Sequence, residues 1–166
     1  STLSAIIFLL ITFFVQAQNN KIDSLKNELS VHTKSDTTKV ILLHELANAY
    51  LEKDSSKTMV YLEESQALAQ IINYERGFAR ALFTKGTFEL SKSNYNGAIE
   101  LLGKSEALYS KLNSEEVRAE CFFKIGIAYY NQFKFEKSVT YLKKSNALYN
   151  NISQTRKTIK GLKFKG

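Results

Sequence analysis

Few side chains in this sequence are of a type and spacing that could perform chemistry. Its only histidines, His32 and His44, are not close in sequence, and no HExxH, GxSxG, P-loop or GxGxxG motif occurs. Cys121 is the only cysteine, so no internal disulfide can form, and such a residue is more often buried than reactive. We therefore expect no catalytic residue, no metal site and no cofactor, and predict that the chain is not an enzyme.

Two pairs of adjacent acidic residues are the remaining candidates for acid–base chemistry. They are Glu63-Glu64 and Glu115-Glu116. Neighbouring residues on a helix do not face each other, so the two carboxylates of a pair diverge. The second pair also begins a predicted helix, where the helix dipole stabilises anions. Solvated charge is the better interpretation of both pairs.

The positive charge of the chain is concentrated at one end. The 166 residues carry a net charge of +7, but the last 30 hold eight basic residues and no acidic one. The remainder, up to Glu136, holds 15 basic and 16 acidic residues. Nucleic-acid binding requires a basic face across the folded part, so we expect no nucleic-acid partner for this segment.

The N-terminal residues have the pattern of an export signal. Residues 1–20 are uncharged, and a mainly apolar run over residues 5–15 precedes Gln16-Ala17-Gln18. A run of this length is typical of a signal peptide, with small residues at the cleavage site. The pattern predicts a signal peptide over residues 1–17 and export to the periplasm or cell envelope of a bacterium. An uncleaved membrane anchor and a buried core helix are the alternatives.

Beyond Asn20 the apolar residues follow helical spacing, and the pattern repeats every forty residues. No segment alternates as a strand would. The residues that recur at this step are Gly86, Gly126 and Gly166, then Ser65, Ser105 and Ser145, and the Ala-Leu pairs beginning at Ala67, Ala107 and Ala147. A fixed period of this length indicates a repeat architecture whose core comes from stacked units.

Each unit predicts two antiparallel helices joined by a short turn. The first helices are expected over 37–52, 75–92 and 115–132, and the second over 56–71, 95–112 and 135–150. Small residues on the first helices allow a close approach, and leucines on the second fill the space: Ala47, Gly86 and Gly126 face Leu62, Leu102 and Leu142. Polar residues in the turns at Asp54 and at Ser93-Asn94 are available to cap the second helices.

The pattern resembles the tetratricopeptide repeat. The residues that carry the resemblance in the third unit are Phe122, Ile125, Gly126, Tyr129, Ser138, Leu142 and Ser145. In the second unit Lys85 and Glu89 depart from the family pattern. The resemblance implies an all-α, right-handed superhelical array of antiparallel helix pairs over residues 37–153. Residues 18–36 are expected to form a flanking helix, and residues 154–166 the start of a truncated fourth repeat, because Leu162–Gly166 aligns with Leu82–Gly86.

Units of forty residues behind an export signal look like the sensor or scaffold arrays of Bacteroidetes-type envelope proteins. The resemblance implies a non-catalytic module that binds a protein or peptide, as part of a longer exported protein. One alternative is a signal-transduction fragment that feeds a histidine-kinase or DNA-binding output domain. The other is an accessory subunit of an enzyme, or an enzyme whose catalytic part lies beyond Gly166. Membrane contact is expected only through an uncleaved N-terminal segment or a helix downstream of Gly166.

In this family the first helices line a concave groove. The groove positions that we carry over to this chain are His44, Asn48, Arg80, Phe83, Thr87, Phe123, Lys124, Ile127 and Tyr130. Phe83, Phe123 and Tyr130 are the predicted anchors for a partner. The alternative is that Phe83 and Phe123 pack between neighbouring repeats. The family's carboxylate clamp is broken, since Glu120 replaces one of its cations.

Overall fold

A computed structural model describes residue 7 and residues 20–163, with side chains as far as residue 156. The helices in this part of the chain are α1 (20–31), α2 (Thr37–Tyr50), α3 (Ser55–Ile71), α4 (Glu75–Ser91), α5 (Tyr95–Lys111), α6 (Glu115–Asn131) and α7 (Phe135–Lys163). No strand occurs among these residues. The predicted all-α class, with helix pairs of the tetratricopeptide type, is confirmed. The predicted signal peptide lies outside the described residues.

The bounds of α2 to α6 and the start of α7 agree with the expected ones to within two residues. The flanking helix expected over residues 18–36 is shorter, since α1 ends at residue 31. The end of α7 also differs. The repeat pattern predicts a helix that stops near residue 150 and a new one from about residue 154. The structure has one continuous helix, Phe135–Lys163. No proline and no glycine lies between Tyr149 and Lys160, so nothing there ends the helix. Asn151 Nδ2 donates to the Glu115 carboxylate at 3.0 Å, which holds this extension beside the start of α6.

The chain divides into two units, Ser1–Gly77 and Phe78–Gly166. In the first unit, Ile22 of α1 packs with Leu46 and Tyr50 of α2. The core of the second unit is formed by Ala98, Leu102 and Ile125, with partly buried apolar residues around it: Phe83, Leu90, Ile99, Tyr129 and Tyr141. Each unit therefore has its own buried apolar cluster.

The turns after α3, α4, α5 and α6 share one backbone conformation. Each contains a residue in the left-handed region: Asn73, Ser93, Asn113 and Phe133, with φ of 54°, 62°, 52° and 59°. After α4, the Asn94 N–H donates to the Glu89 carbonyl at 2.9 Å, and the Ser93 N–H to the Leu90 carbonyl at 3.0 Å. These two bonds define a Schellman C-cap, and both recur in the other three turns. Helices α3 to α6 have 17 residues each and are joined by three-residue turns, so each helix begins twenty residues after the one before it. Two helices therefore account for the forty-residue period of the sequence.

Side chains cap several helix N-termini. Asp54 accepts from the Lys57 N–H at 3.0 Å, and Asn94 from the Gly97 N–H at 3.3 Å, so both predicted caps are confirmed. The Lys57 N–H and ammonium group lower the pKa of Asp54, because both favour the charged carboxylate. The residue before α7 is Lys134, whose side chain has no acceptor atom.

The paired small and large residues make the predicted close approach. A Cβ added to Gly86 would lie 2.8 Å from Leu102 Cγ and 3.1 Å from the Leu102 nitrogen. At Gly126 the nearest atoms are Leu142 Cδ2 and Cγ, both at 2.9 Å. Glycine is therefore required sterically at the α4–α5 crossing.

A buried serine hydrogen bond joins the two helices of every pair. The hydroxyl of Ser65 donates to the Val40 carbonyl at 3.0 Å. Forty residues on, Ser105 donates to the Ala79 carbonyl at 2.9 Å, and Ser145 repeats the bond to the Ala119 carbonyl at 2.8 Å. The recurring serine is thus an interhelical donor as well as a small residue.

Candidate functional site

Three of the predicted groove residues lie along one face of α6. Phe123, Ile127 and Tyr130 are spaced by four and three residues, which places them on a single helical stripe. Phe123 is 48% exposed and Tyr130 is 60% exposed, while Ile127 between them is partly buried. We refer to these three residues as the α6 stripe. It presents two large aromatic surfaces to solvent.

Phe83 of α4 has a different environment from Phe123. Its ring packs against the cluster of Ala98, Leu102 and Ile125, as the alternative interpretation expected. The ammonium group of Lys124 lies 5.6 Å from the centre of the Phe83 ring, within cation–π range. The structure therefore brings Phe83 and Lys124 together, and most of the Phe83 ring serves the core.

The other predicted residues are less accessible. Arg80 and Thr87 are partly buried on α4, at helical spacing from Phe83. In the first unit Asn48 is partly buried, and His44 is only 3% exposed. A partner cannot reach the His44 imidazole without a rearrangement of α2, so we remove it from the candidate site.

Sequence reasoning missed two exposed phenylalanines, one of which is the most exposed aromatic residue of the described chain. Phe133 is 80% exposed and Phe135 is 53% exposed. Their ring centroids are 6.2 Å apart in an edge-to-face arrangement, and the Phe135 ring contacts Tyr130 in the same manner at 5.6 Å. We refer to Phe133 and Phe135 as the aromatic turn. The signal was a phenylalanine at a turn position that holds Asn73, Ser93 and Asn113 elsewhere.

A surface cavity of about 420 Å³ lies at the aromatic turn. It is lined by Phe133, Lys134, Phe135, Glu136 and Lys137. Aromatic side chains beside a few charged groups are typical of a recess that accepts a side chain of another molecule.

A second aromatic cluster joins α6 to α7. The rings of Tyr129 and Tyr141 stack at 5.4 Å, and the ammonium group of Lys137 lies 5.6 Å from the Tyr129 ring centre. Lys144 lies 5.0 Å from the Tyr141 ring centre and also covers Phe122. Burial raises the pKa of Tyr141, because the phenolate is disfavoured there. This cluster joins the two helices of the pair and places Lys137 over the Tyr129 ring.

The described residues contain no arrangement suited to catalysis by a thiol. Cys121 is fully buried, and burial raises its pKa to about 12, so the reactive thiolate is not populated at neutral pH. Among the described side chains, no group of three or more His, Cys, Asp or Glu residues is placed to hold a metal ion. None of the described helices combines the length and apolar character that crossing a bilayer requires.

Comparison with known proteins supports the fold. No protein-family model matches the sequence, and no curated protein matches it significantly. Solved structures do match. BtubC from P. vanneervenii superimposes with a TM-score of 0.71 at 14% identity, covering 82% of this chain and 57% of that one. Aspartyl phosphate phosphatase F from Bacillus subtilis gives 0.73 at 15% identity, covering 82% and 39%. MamA gives 0.64 at 21% identity, covering 86% and 74%.

These neighbours are helical repeat proteins of the tetratricopeptide type, and this chain has the same type of fold. The chain spans 57% and 39% of the lengths of the first two proteins. The TM-scores show a shared fold, but sequence identities this low do not indicate a shared function. The function must be inferred from the surface residues of this chain.

Proposed function

We propose that this chain is a non-catalytic module that binds a segment of another protein through the α6 stripe. The observation that carries the proposal is the exposure of two large rings, Phe123 and Tyr130, on one face of a rigid helix. A contiguous exposed apolar surface on a soluble domain usually marks an interaction site.

The chemistry of the surroundings supports a protein partner. Aromatic anchors with a few polar groups beside them dominate the binding energy of protein interfaces. Lys124 is the neighbour of Phe123 in sequence and already lies over the Phe83 ring. A helix that presents apolar side chains at positions i, i+4 and i+7 suits an amphipathic or extended segment lying along it.

The proposal is tested by site-specific photocrosslinking in cells that express the full chain. A benzoylphenylalanine placed at Phe123 is expected to capture a protein partner. The same probe at Val60, which is 51% exposed on α3, serves as the matched control and is expected to capture none. Loss of the crosslink in a Tyr130→Ser background, at an unchanged melting temperature, would support the stripe. Equal labelling from both positions would contradict it.

We further propose that the module is the scaffold or sensor portion of an exported bacterial protein. The support is the uncharged N-terminal sequence with its apolar run over residues 5–15. Mass spectrometry of the protein recovered from a bacterial envelope fraction is expected to find Gln18 at the N-terminus. An intact apolar run retained in the membrane would favour an anchor instead.

A further inference from the structure

We propose that the aromatic turn is a second docking surface, which accepts a partner-protein segment carrying an apolar side chain next to a carboxylate. This goes beyond the α6 stripe, because it uses Phe133, Phe135 and the lysines beside them. Three observations on the structure support it, and they concern backbone conformation, exposure and charge.

The first observation is the residue type at the turn. Phe133 adopts a left-handed conformation with a φ of 59°, which is unfavourable for a residue with a bulky side chain. The three equivalent turns place Asn73, Ser93 and Asn113 at this position. Among the described turns, phenylalanine therefore occupies this conformation only at residue 133, and the other turns form without an aromatic ring there.

The second observation is where the ring points. Phe133 is 80% exposed, so it contributes little to any core. Its contact with Phe135, which is 53% exposed, joins the two rings into one apolar patch. A strained residue that displays its side chain to solvent is typical of a binding site.

The third observation is the recess and its charge. Among the described residues that line the cavity of about 420 Å³, Lys134 and Lys137 are basic and Glu136 is acidic. A recess of this size accepts one or two side chains. The excess of positive charge complements a carboxylate beside the inserted group. The carboxylate of Glu136 beside the two rings disfavours an anionic bilayer surface, so we assign the site to a protein segment.

The test uses an array of twelve-residue peptides with a central Phe or Leu. The flanks are acidic in one set, Ser and Gln in a second, and Lys and Arg in a third. The full chain is expected to bind the acidic set at least tenfold more tightly than the neutral set, and the basic set not at all. Affinities for the best peptides are then measured by fluorescence polarisation.

Two variants and two controls locate the binding. Phe133→Asn is expected to weaken the binding of acidic peptides at least tenfold, and it should fold because asparagine already occupies two of the three equivalent positions. The double substitution Lys134→Glu with Lys137→Glu should remove the preference for acidic flanks. Ile71→Ser, at an exposed apolar residue of α3, and Lys57→Glu should leave the affinity unchanged.

Several outcomes would overturn the inference. They include no binding by any set, no preference for acidic flanks, and an equal loss in the Ile71→Ser control. If Phe123→Ser lost peptide binding and Phe133→Asn kept full affinity, the peptides would bind at the α6 stripe. That result would support the proposed function and contradict the present inference. If the chain bound no peptide but sedimented with phosphatidylglycerol vesicles in a manner that depends on Phe133, the aromatic turn would be a membrane-binding surface instead. If the chain formed a dimer that Phe133→Asn abolished, the partner at the aromatic turn would be a second copy of the chain.

Discussion

The helix pairs α4–α5 and α6–α7 share a backbone frame but differ in surface. In both pairs a glycine faces a leucine, Gly86 with Leu102 and Gly126 with Leu142. Both pairs also have the serine hydrogen bond between their helices and a left-handed residue in the turn. These features determine how the two helices of each pair pack.

The surfaces of the two pairs have little in common. The α4–α5 turn has a small residue, Ser93, in the left-handed position, and Asn94 caps the helix that follows. The α6–α7 turn has Phe133 and Lys134, which suit neither role. The residues of the α6–α7 turn are therefore not the ones that its backbone conformation favours, and this difference is the basis of the docking surface proposed above.

The largest effect should come from truncating the leucine of each pair. Leu102 is fully buried, so Leu102→Ala is expected to lower the free energy of unfolding by about 2–5 kcal/mol. Leu142 is partly exposed, and Leu142→Ala should cost less because water already reaches the site. Urea unfolding of both variants measures the difference. Equal losses would mean that the two crossings are packed alike.

Adding a methyl group to the facing glycines should have the next largest effect. Gly86→Ala meets both the side chain and the nitrogen of Leu102, and overpacking of this kind costs roughly 1–3 kcal/mol. The helix propensity of alanine offsets about 0.5–1 kcal/mol of that. Gly126→Ala should be closer to neutral, since Leu142 is partly exposed and its side chain can shift. A Gly126→Ala variant that is less stable than Gly86→Ala would break the comparison.

The serine hydrogen bond should contribute about equally to the stability of the α4–α5 and α6–α7 pairs. Ser105→Ala and Ser145→Ala are each expected to lower the free energy of unfolding by about 1 kcal/mol, because each removes a buried hydrogen bond. Ser153→Ala, at an exposed position of α7, is the matched control and should be neutral or slightly stabilising. Thermal and urea unfolding give the values. If neither serine variant differs from this control, the serine is there only for its small size.

Much of the fold could be predicted from the sequence because its signals are local and repeated. Glycine, serine and leucine at fixed steps define the helix pairs, and Asp54 and Asn94 mark two caps. The length of α7 could not be predicted, since its extension depends on contacts with α6 through Asn151 and Glu115. The hydrogen bonds of the recurring serines could not be predicted either. A serine at a repeated position is explained equally well by its small size, so the pattern does not indicate that it donates a hydrogen bond.

The candidate site was less predictable than the fold. The spacing placed Phe123 and Tyr130 on one face, but the burial of His44 depends on packing that no local pattern reveals. Phe135 occupies the same repeat position as Tyr95, so the repeat pattern does not distinguish it as a surface residue. Phe133 could have been recognised by comparing the four turns with one another.

The central claim is that Phe133 stands at the turn for a partner and not for stability. Equilibrium urea unfolding of Phe133→Asn beside the reciprocal variant Asn113→Phe tests it most directly, because both residues have the same left-handed backbone. The account predicts that Phe133→Asn raises the free energy of unfolding by about 0.5–1 kcal/mol and that Asn113→Phe lowers it by a similar amount. A loss of stability in Phe133→Asn would show that the ring supports the fold, and would contradict the account.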